Sequence, residues 1–166
     1  CKGIKKARPN NEITEYLSPD ELSRLLKTLE GWPDRMAASI VKFALCTGLR
    51  RSEIYKLTWN DIDLKRKTFV LRDPKGKYDQ VLPLSDGAVK VLKDVPKKYD
   101  TYIFYGKDGR KRTYTATAWR SIKKAAKLSD GFRFHGLRHH FASSLVSAGV
   151  DLYTVQKLLT HKDAST

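Results

Sequence analysis

A chain of 166 residues with 40% hydrophobic content has room for one domain with a real core, which excludes disorder as its main state and leaves no space for a second full domain. Lys and Arg number 33 against 18 Asp and Glu, a formal net charge of +15 that points to a polyanionic partner. With no apolar run of membrane-spanning length, no signal-peptide pattern and only Cys1 and Cys46, the expectation is a cytoplasmic protein without a membrane segment, disulfide framework or Cys-based zinc site.

Residues 1–15 are basic and polar, are broken by Pro9-Asn10-Asn11 and carry no apolar period, so they read as an interdomain linker. The folded domain is expected over residues 16–166. Ser18-Pro19-Asp20-Glu21 combines a capping hydroxyl, a proline at the first helical position and a glutamate at the third, and Leu22, Leu25, Leu26 and Leu29 follow at helical spacing. A second helix is predicted from about Pro33 to Thr47, ended by Gly48, and a short third from Arg51 to Leu57.

From Asp61 the period changes. Ile62 and Leu64, then Phe69 to Leu71, then Val81 to Leu84 predict a small antiparallel three-stranded sheet with a basic hairpin tip at 73–77. Helices are predicted again at 85–95, 115–128, 134–148 and 151–159, with a short extended piece at Tyr102 to Tyr105. The fold class is therefore α+β, mostly α-helical with one small sheet.

The positive charge is concentrated. Ten Lys and Arg stand against Asp108 and Asp130 between Tyr105 and His140, and six stand against Asp73 from Lys65 to Lys77. Clustering on two separate elements favours phosphate-backbone contacts over an evenly solvated face.

Three stretches carry candidate chemistry. Arg50 follows the helix-ending Gly48 and has Glu53 three residues on, a spacing that lets the carboxylate hold the guanidinium for a phosphate. In His135-Gly136-Leu137-Arg138-His139-His140, helical geometry at about 100° per residue sets Arg138 on the edge of a buried stripe of Leu137, Phe141 and Leu145, broadened by Ala142 and Val146. A guanidinium turned towards a core needs an anion, a carboxylate or a substrate phosphate. His135 lies within a turn of Arg138, His139 reads as a hydrogen-bonded core histidine, and His140 points to the Ser143 and Ser147 side. His135 and His139 have the spacing of a zinc helix, but Gly136 occupies the place of a metalloprotease glutamate and no third ligand is at hand, so no metal is expected. His161 follows Leu158-Leu159-Thr160 at the end of the last helix.

Taken together, these stretches resemble the catalytic domain of the tyrosine recombinase (phage integrase) family over about Leu17 to Thr166. Thr47-Gly48-Leu49-Arg50-x-Ser52-Glu53 matches its first box, Lys75-Gly76 with Val81-Leu82-Pro83-Leu84 its hairpin segment, His135-x-x-Arg138-His139 with Phe141-Ala142 its second box, and Leu158-Leu159-x-His161 its third. The resemblance implies cleavage and rejoining of double-stranded DNA through a 3′-phosphotyrosyl link, with no metal or cofactor and with assembly as a tetramer on DNA.

By the same resemblance Arg50, Arg138 and His161 would hold the phosphate oxygens, and His135 would assist proton removal from the attacking phenol. Lys75 would protonate the departing 5′-oxygen, with Lys77 as fallback, and Glu53 and His139 would be supporting residues. The helix bearing Arg120, Lys123 and Lys124 would enter the major groove. Thr160 stands where the family usually has Gly. No tyrosine follows Tyr153, which precedes His161 and reads as a packing residue, so these 166 residues are expected to bind DNA without supplying the nucleophile. The rival readings are a non-catalytic DNA-binding module of the same fold and a metal-dependent nuclease.

Overall fold

Arg35–Thr47 (α2) is apolar on nearly every side, with Met36, Ala37, Ala38, Ile40, Val41, Phe43 and Ala44 all buried. Such a helix must be surrounded, and the other elements pack around it. The computed structural model describes residues 16–72, 78–113 and 116–159. The expected linker at 1–15, the hairpin tip with Lys75 and Lys77, and His161 lie outside the described residues.

Pro19–Glu30 (α1) packs on α2 through Leu25 and Leu29, and its start is the expected capping box. The Ser18 hydroxyl accepts from the Glu21 backbone N–H at 3.2 Å, and the Glu21 carboxylate accepts from the Ser18 N–H at 2.8 Å. The short helix Arg51–Lys56 (α3) follows α2 directly. Ile62–Asp63 (β1), Thr68–Leu71 (β2) and Gln80–Pro83 (β3) form an antiparallel sheet in the order β1-β2-β3, with Phe69 opposite both Ile62 and Leu82. Phe69 and Leu71 point inward while Val81 stays 69% exposed, the alternation of a sheet with one solvated face. Phe43 of α2 meets Phe69 and Phe104 at ring separations of 6.5 and 5.1 Å, which seats the sheet on the helical core. At the base of the hairpin, buried Asp61 accepts from the Thr58 N–H and hydroxyl and from Arg72 Nε, tying β2 to the turn before β1.

Asp86–Asp94 (α4), Ala116–Ala125 (α5), Gly136–Ser147 (α6) and Leu152–Leu158 (α7) complete the described residues. Among them α4 and α6 lie against α2, α5 against α1, and α7 against α6. The sheet and the helix order agree with the sequence reading, with local differences. The second helix starts at Arg35 instead of Pro33 because the Asp34 carboxylate caps the Ala37 N–H at 3.0 Å. Residues 102–105 form isolated bridges (Thr58 with Tyr102, Tyr105 with Lys111) instead of a strand, since the chain reverses at Asp108 and Gly109, both at positive φ. The fifth helix stops at Ala125 because Lys127 takes a left-handed conformation, and the Leu128 N–H returns to the Lys123 carbonyl. No described helix is long and apolar enough to cross a membrane.

Gly48 ends α2 at φ +66°, and a Cβ built there would lie 2.4 Å from Phe141 Cδ1 and 2.8 Å from Leu159 Cδ2. Only a glycine satisfies both the backbone angle and the close approach of α6 and the end of α7. Gly48→Ala is therefore expected to cost about 1–3 kcal/mol or more of folding stability, read as a lower urea midpoint; an unchanged midpoint would contradict this packing.

Candidate active site

The site begins where α2 ends. The left-handed turn at Gly48 sends the chain through buried Leu49 to Arg50, which occupies the N-cap of α3. Glu53, one turn into that short helix and 8% exposed, reaches back twice. It accepts the Arg50 backbone N–H at 2.7 Å and the Arg50 Nη1 at 2.9 Å. The predicted spacing thus does what was expected of it: one carboxylate oxygen accepts the N-cap backbone N–H and the other fixes the guanidinium.

Arg138, in the first turn of α6, is 4% exposed. Its Nη1 donates to the Gly48 carbonyl at 2.8 Å, its Nη2 donates to the Leu159 carbonyl, and Glu53 Oε2 lies 4.0 Å away. Gly48 and Leu159 are the C-caps of α2 and α7, so the buried cation sits against the carbonyl ends of two helices. The expected anion is therefore a shared carboxylate supplemented by two backbone carbonyls. Burial, reinforced by the neighbouring Arg50 and opposed by Glu53, draws the Arg138 pKa down to about 10, so it stays charged at neutral pH.

Arg50, His135 and Arg138 line one cleft of about 340 Å³, together with Ser52, Tyr55 and Phe134. His135 is exposed and stands just before α6, its ring edge-on to His139 with centroids 4.9 Å apart. A second hollow of about 390 Å³ adjoins the cleft, sharing Arg51, Phe134 and His135 with it and lined further by Arg120 and Lys123 of α5 and by Arg133. Lys124, on the same helix, is exposed and does not line it. Among the described residues no three His, Cys, Asp or Glu side chains cluster to hold a metal.

Three expectations are corrected. His139 is exposed, not a core residue, because the inward side of α6 is centred on Leu137 and Arg138, which turns the side bearing Ala142 and Val146 outward and leaves Val146 51% exposed. His140 is the histidine that is half-buried: its Nδ1 accepts the Leu17 backbone N–H at 3.2 Å, across 123 positions of sequence. Tyr153 is 59% exposed on α7 with Lys157 over its ring, so it is not a packing residue of the core. Sequence reasoning also missed Arg51, Ser52, Tyr55, Arg133 and Phe134. Of these, Arg51 and Arg133 carried a signal as part of the overall basic excess and Ser52 as a position of the first box, while Tyr55 and Phe134 carried none.

Burial holds the His140 pKa below its ordinary 6.5. The folded chain then binds that proton less readily than the unfolded chain, so the His140 contribution to stability is intact above pH 6.5 and declines as pH falls below it. Thermal unfolding in that acid range should lose stability less steeply in His140→Asn, which keeps an acceptor for Leu17 but does not titrate; identical pH profiles would contradict the assignment.

The sequence profile of the Phage integrase family matches residues 15–166. The integrase of Salmonella phage P22 is 36% identical over 170 residues, covering 93% of this chain and 43% of that protein. A tyrosine recombinase of Thermosipho africanus is 30% identical, covering 98% of this chain and 59% of its own length. Among solved structures, a XerA recombinase superimposes with a TM-score of 0.75 at 30% identity, over 89% of this chain and 55% of that one. A XerH site-specific recombinase bound to its palindromic difH substrate gives 0.75 at 25% identity, over 92% and 48%. The chain thus spans about half the length of the relatives it matches. With the family profile matching residues 15–166 and relatives at 36% and 30% identity over most of its length, the chain belongs to the phage integrase family, and its relatives include tyrosine recombinases.

Proposed function

We propose that residues 16–166 form the catalytic domain of a cytoplasmic site-specific DNA recombinase or integrase, with residues 1–15 as the linker that leads into it. The observation that carries this reading is the convergence of Arg50 and Arg138 on one cleft with Glu53 between them. Two fixed guanidiniums beside an open hollow suit a phosphodiester, whose non-bridging oxygens gain negative charge as a fifth ligand attacks phosphorus. His135, an exposed lining residue of the cleft, would take a proton from an attacking phenol, which with a pKa of about 10 is a weak nucleophile at neutral pH until deprotonated.

The remaining roles are carried over from the family resemblance: His161 as a further donor to the phosphate, Lys75 as the acid at the departing 5′-oxygen with Lys77 as fallback, and Glu53 and His139 as supports. Arg120, Lys123 and Lys124 of α5 would grip the duplex. The substrate is double-stranded DNA, the working form on DNA is a tetramer, and the chemistry requires no cofactor. Tyr55 lines the cleft but is only 8% exposed and packed in α3. It would not serve as the nucleophile, and none of these 166 residues would supply the phenol.

Incubated with nicked duplexes carrying the recognition site, the 166-residue chain should bind DNA, more weakly as salt rises, and form no SDS-stable adduct. An adduct that disappears in Tyr55→Phe would overturn the assignment of Tyr55. The whole protein should form the adduct, indifferent to EDTA, and Arg138→Ala should lower its formation by about 100-fold or more while weakening DNA binding only modestly. Cleavage abolished by chelator, or retained in Arg138→Ala, would contradict the mechanism.

A further inference from the structure

We infer that Thr47 is a positioning residue for the buried arginine of the cleft: its hydroxyl fixes the Gly48–Leu49 peptide, and that peptide aims Arg138. The functional half of this inference rests on the reading of Arg138 as a clamp on a phosphodiester.

Thr47 is the last residue of α2 and is 8% exposed. Its hydroxyl donates to the Phe43 carbonyl one turn back at 2.7 Å, a contact that threonine makes readily inside a helix. The same oxygen accepts the Leu49 N–H at 3.3 Å, beyond the end of the helix. Leu49 is 2% exposed, and among the described residues its N–H has no other acceptor. A buried donor without an acceptor is costly, so this contact is needed where the chain leaves α2.

The Leu49 N–H and the Gly48 carbonyl belong to one peptide unit. A trans peptide is planar, with its C=O and N–H pointing in opposite directions, so a bond that fixes one fixes the other. One side of this plane is held by the Thr47 hydroxyl, and the other accepts Arg138 Nη1 at 2.8 Å. Gly48, at φ +66°, would let the plane rotate most easily, because glycine restricts its backbone least. The hydroxyl removes that freedom at the point where Arg138 needs a directed carbonyl. Leu159 and Glu53 approach Arg138 independently of this peptide, so losing the hydroxyl should misplace the guanidinium without releasing it.

The test has two readouts. In the whole protein, adduct formation on nicked duplexes carrying the recognition site is followed over a range of protein concentrations. Thr47→Val, which keeps the shape but not the hydroxyl, should lower the maximal rate by about 10-fold or more and move the half-saturating concentration by no more than about twofold. Thr47→Ser should restore the rate. A folded Thr47→Val with the full rate, a weakened half-saturation with the rate intact, or a Thr47→Ser as slow as Thr47→Val would each overturn the inference. The second readout is hydrogen exchange by NMR in the 166-residue chain. The Leu49 amide and the Arg138 guanidinium should be protected in the unaltered chain and lose protection together in Thr47→Val. A Leu49 amide that exchanges in the unaltered chain as fast as an exposed turn would overturn the inference even if Thr47→Val did not fold. Absence of any adduct from the unaltered whole protein would instead defeat the proposed function, while joint loss of protection would still support the coupling of Thr47 to Arg138.

Discussion

Two guanidiniums of like charge lie side by side in this molecule, one of them almost wholly buried, and a single carboxylate makes that arrangement tolerable. Glu53 is within 2.9 Å of Arg50 and 4.0 Å of Arg138. Removing a cation such as Arg138 from water costs several kcal/mol unless charges and dipoles replace the lost hydration. Here the replacement comes from Glu53 and from the carbonyls at the ends of α2 and α7. Gly48 links these parts: its left-handed turn ends α2, its carbonyl receives Arg138, its missing side chain admits Phe141 and Leu159, and the two residues after it deliver Arg50. The core of the domain and the floor of the cleft are in this sense one construction.

Much of this was legible from local chemistry. The capping box at Ser18 and Glu21, the helix-ending Gly48, the reach from Arg50 to Glu53 and the strand at Phe69 to Leu71 each depend on residues a few positions apart, and each was read correctly. The histidines show where such reading stops. Spacing fixes the angles between His135, Arg138, His139 and His140 but not which side of the helix turns inward, and the apolar residues of α6 are spread too widely to decide it. The bond between Leu17 and His140 spans 123 positions, and no periodicity encodes it.

The second hollow was illegible for a related reason. Arg51 and Arg133 were visible only as members of a basic excess. What brings them together is one hollow, formed where α3, α5 and the approach to α6 meet. Composition points to a polyanion but not to which basic residues share a wall.

The central claim is that Arg50 and Arg138 address one anion. A crystal structure of the chain grown with tungstate, a tetrahedral oxyanion able to accept hydrogen bonds as a phosphate does, tests it without knowledge of any DNA sequence. The account predicts one tungstate in the cleft within hydrogen-bonding distance of both guanidiniums, with Glu53 still bound to Arg50. An ion held by one arginine while the other turns away, or a cleft left empty while tungstate occupies other basic sites, would contradict it.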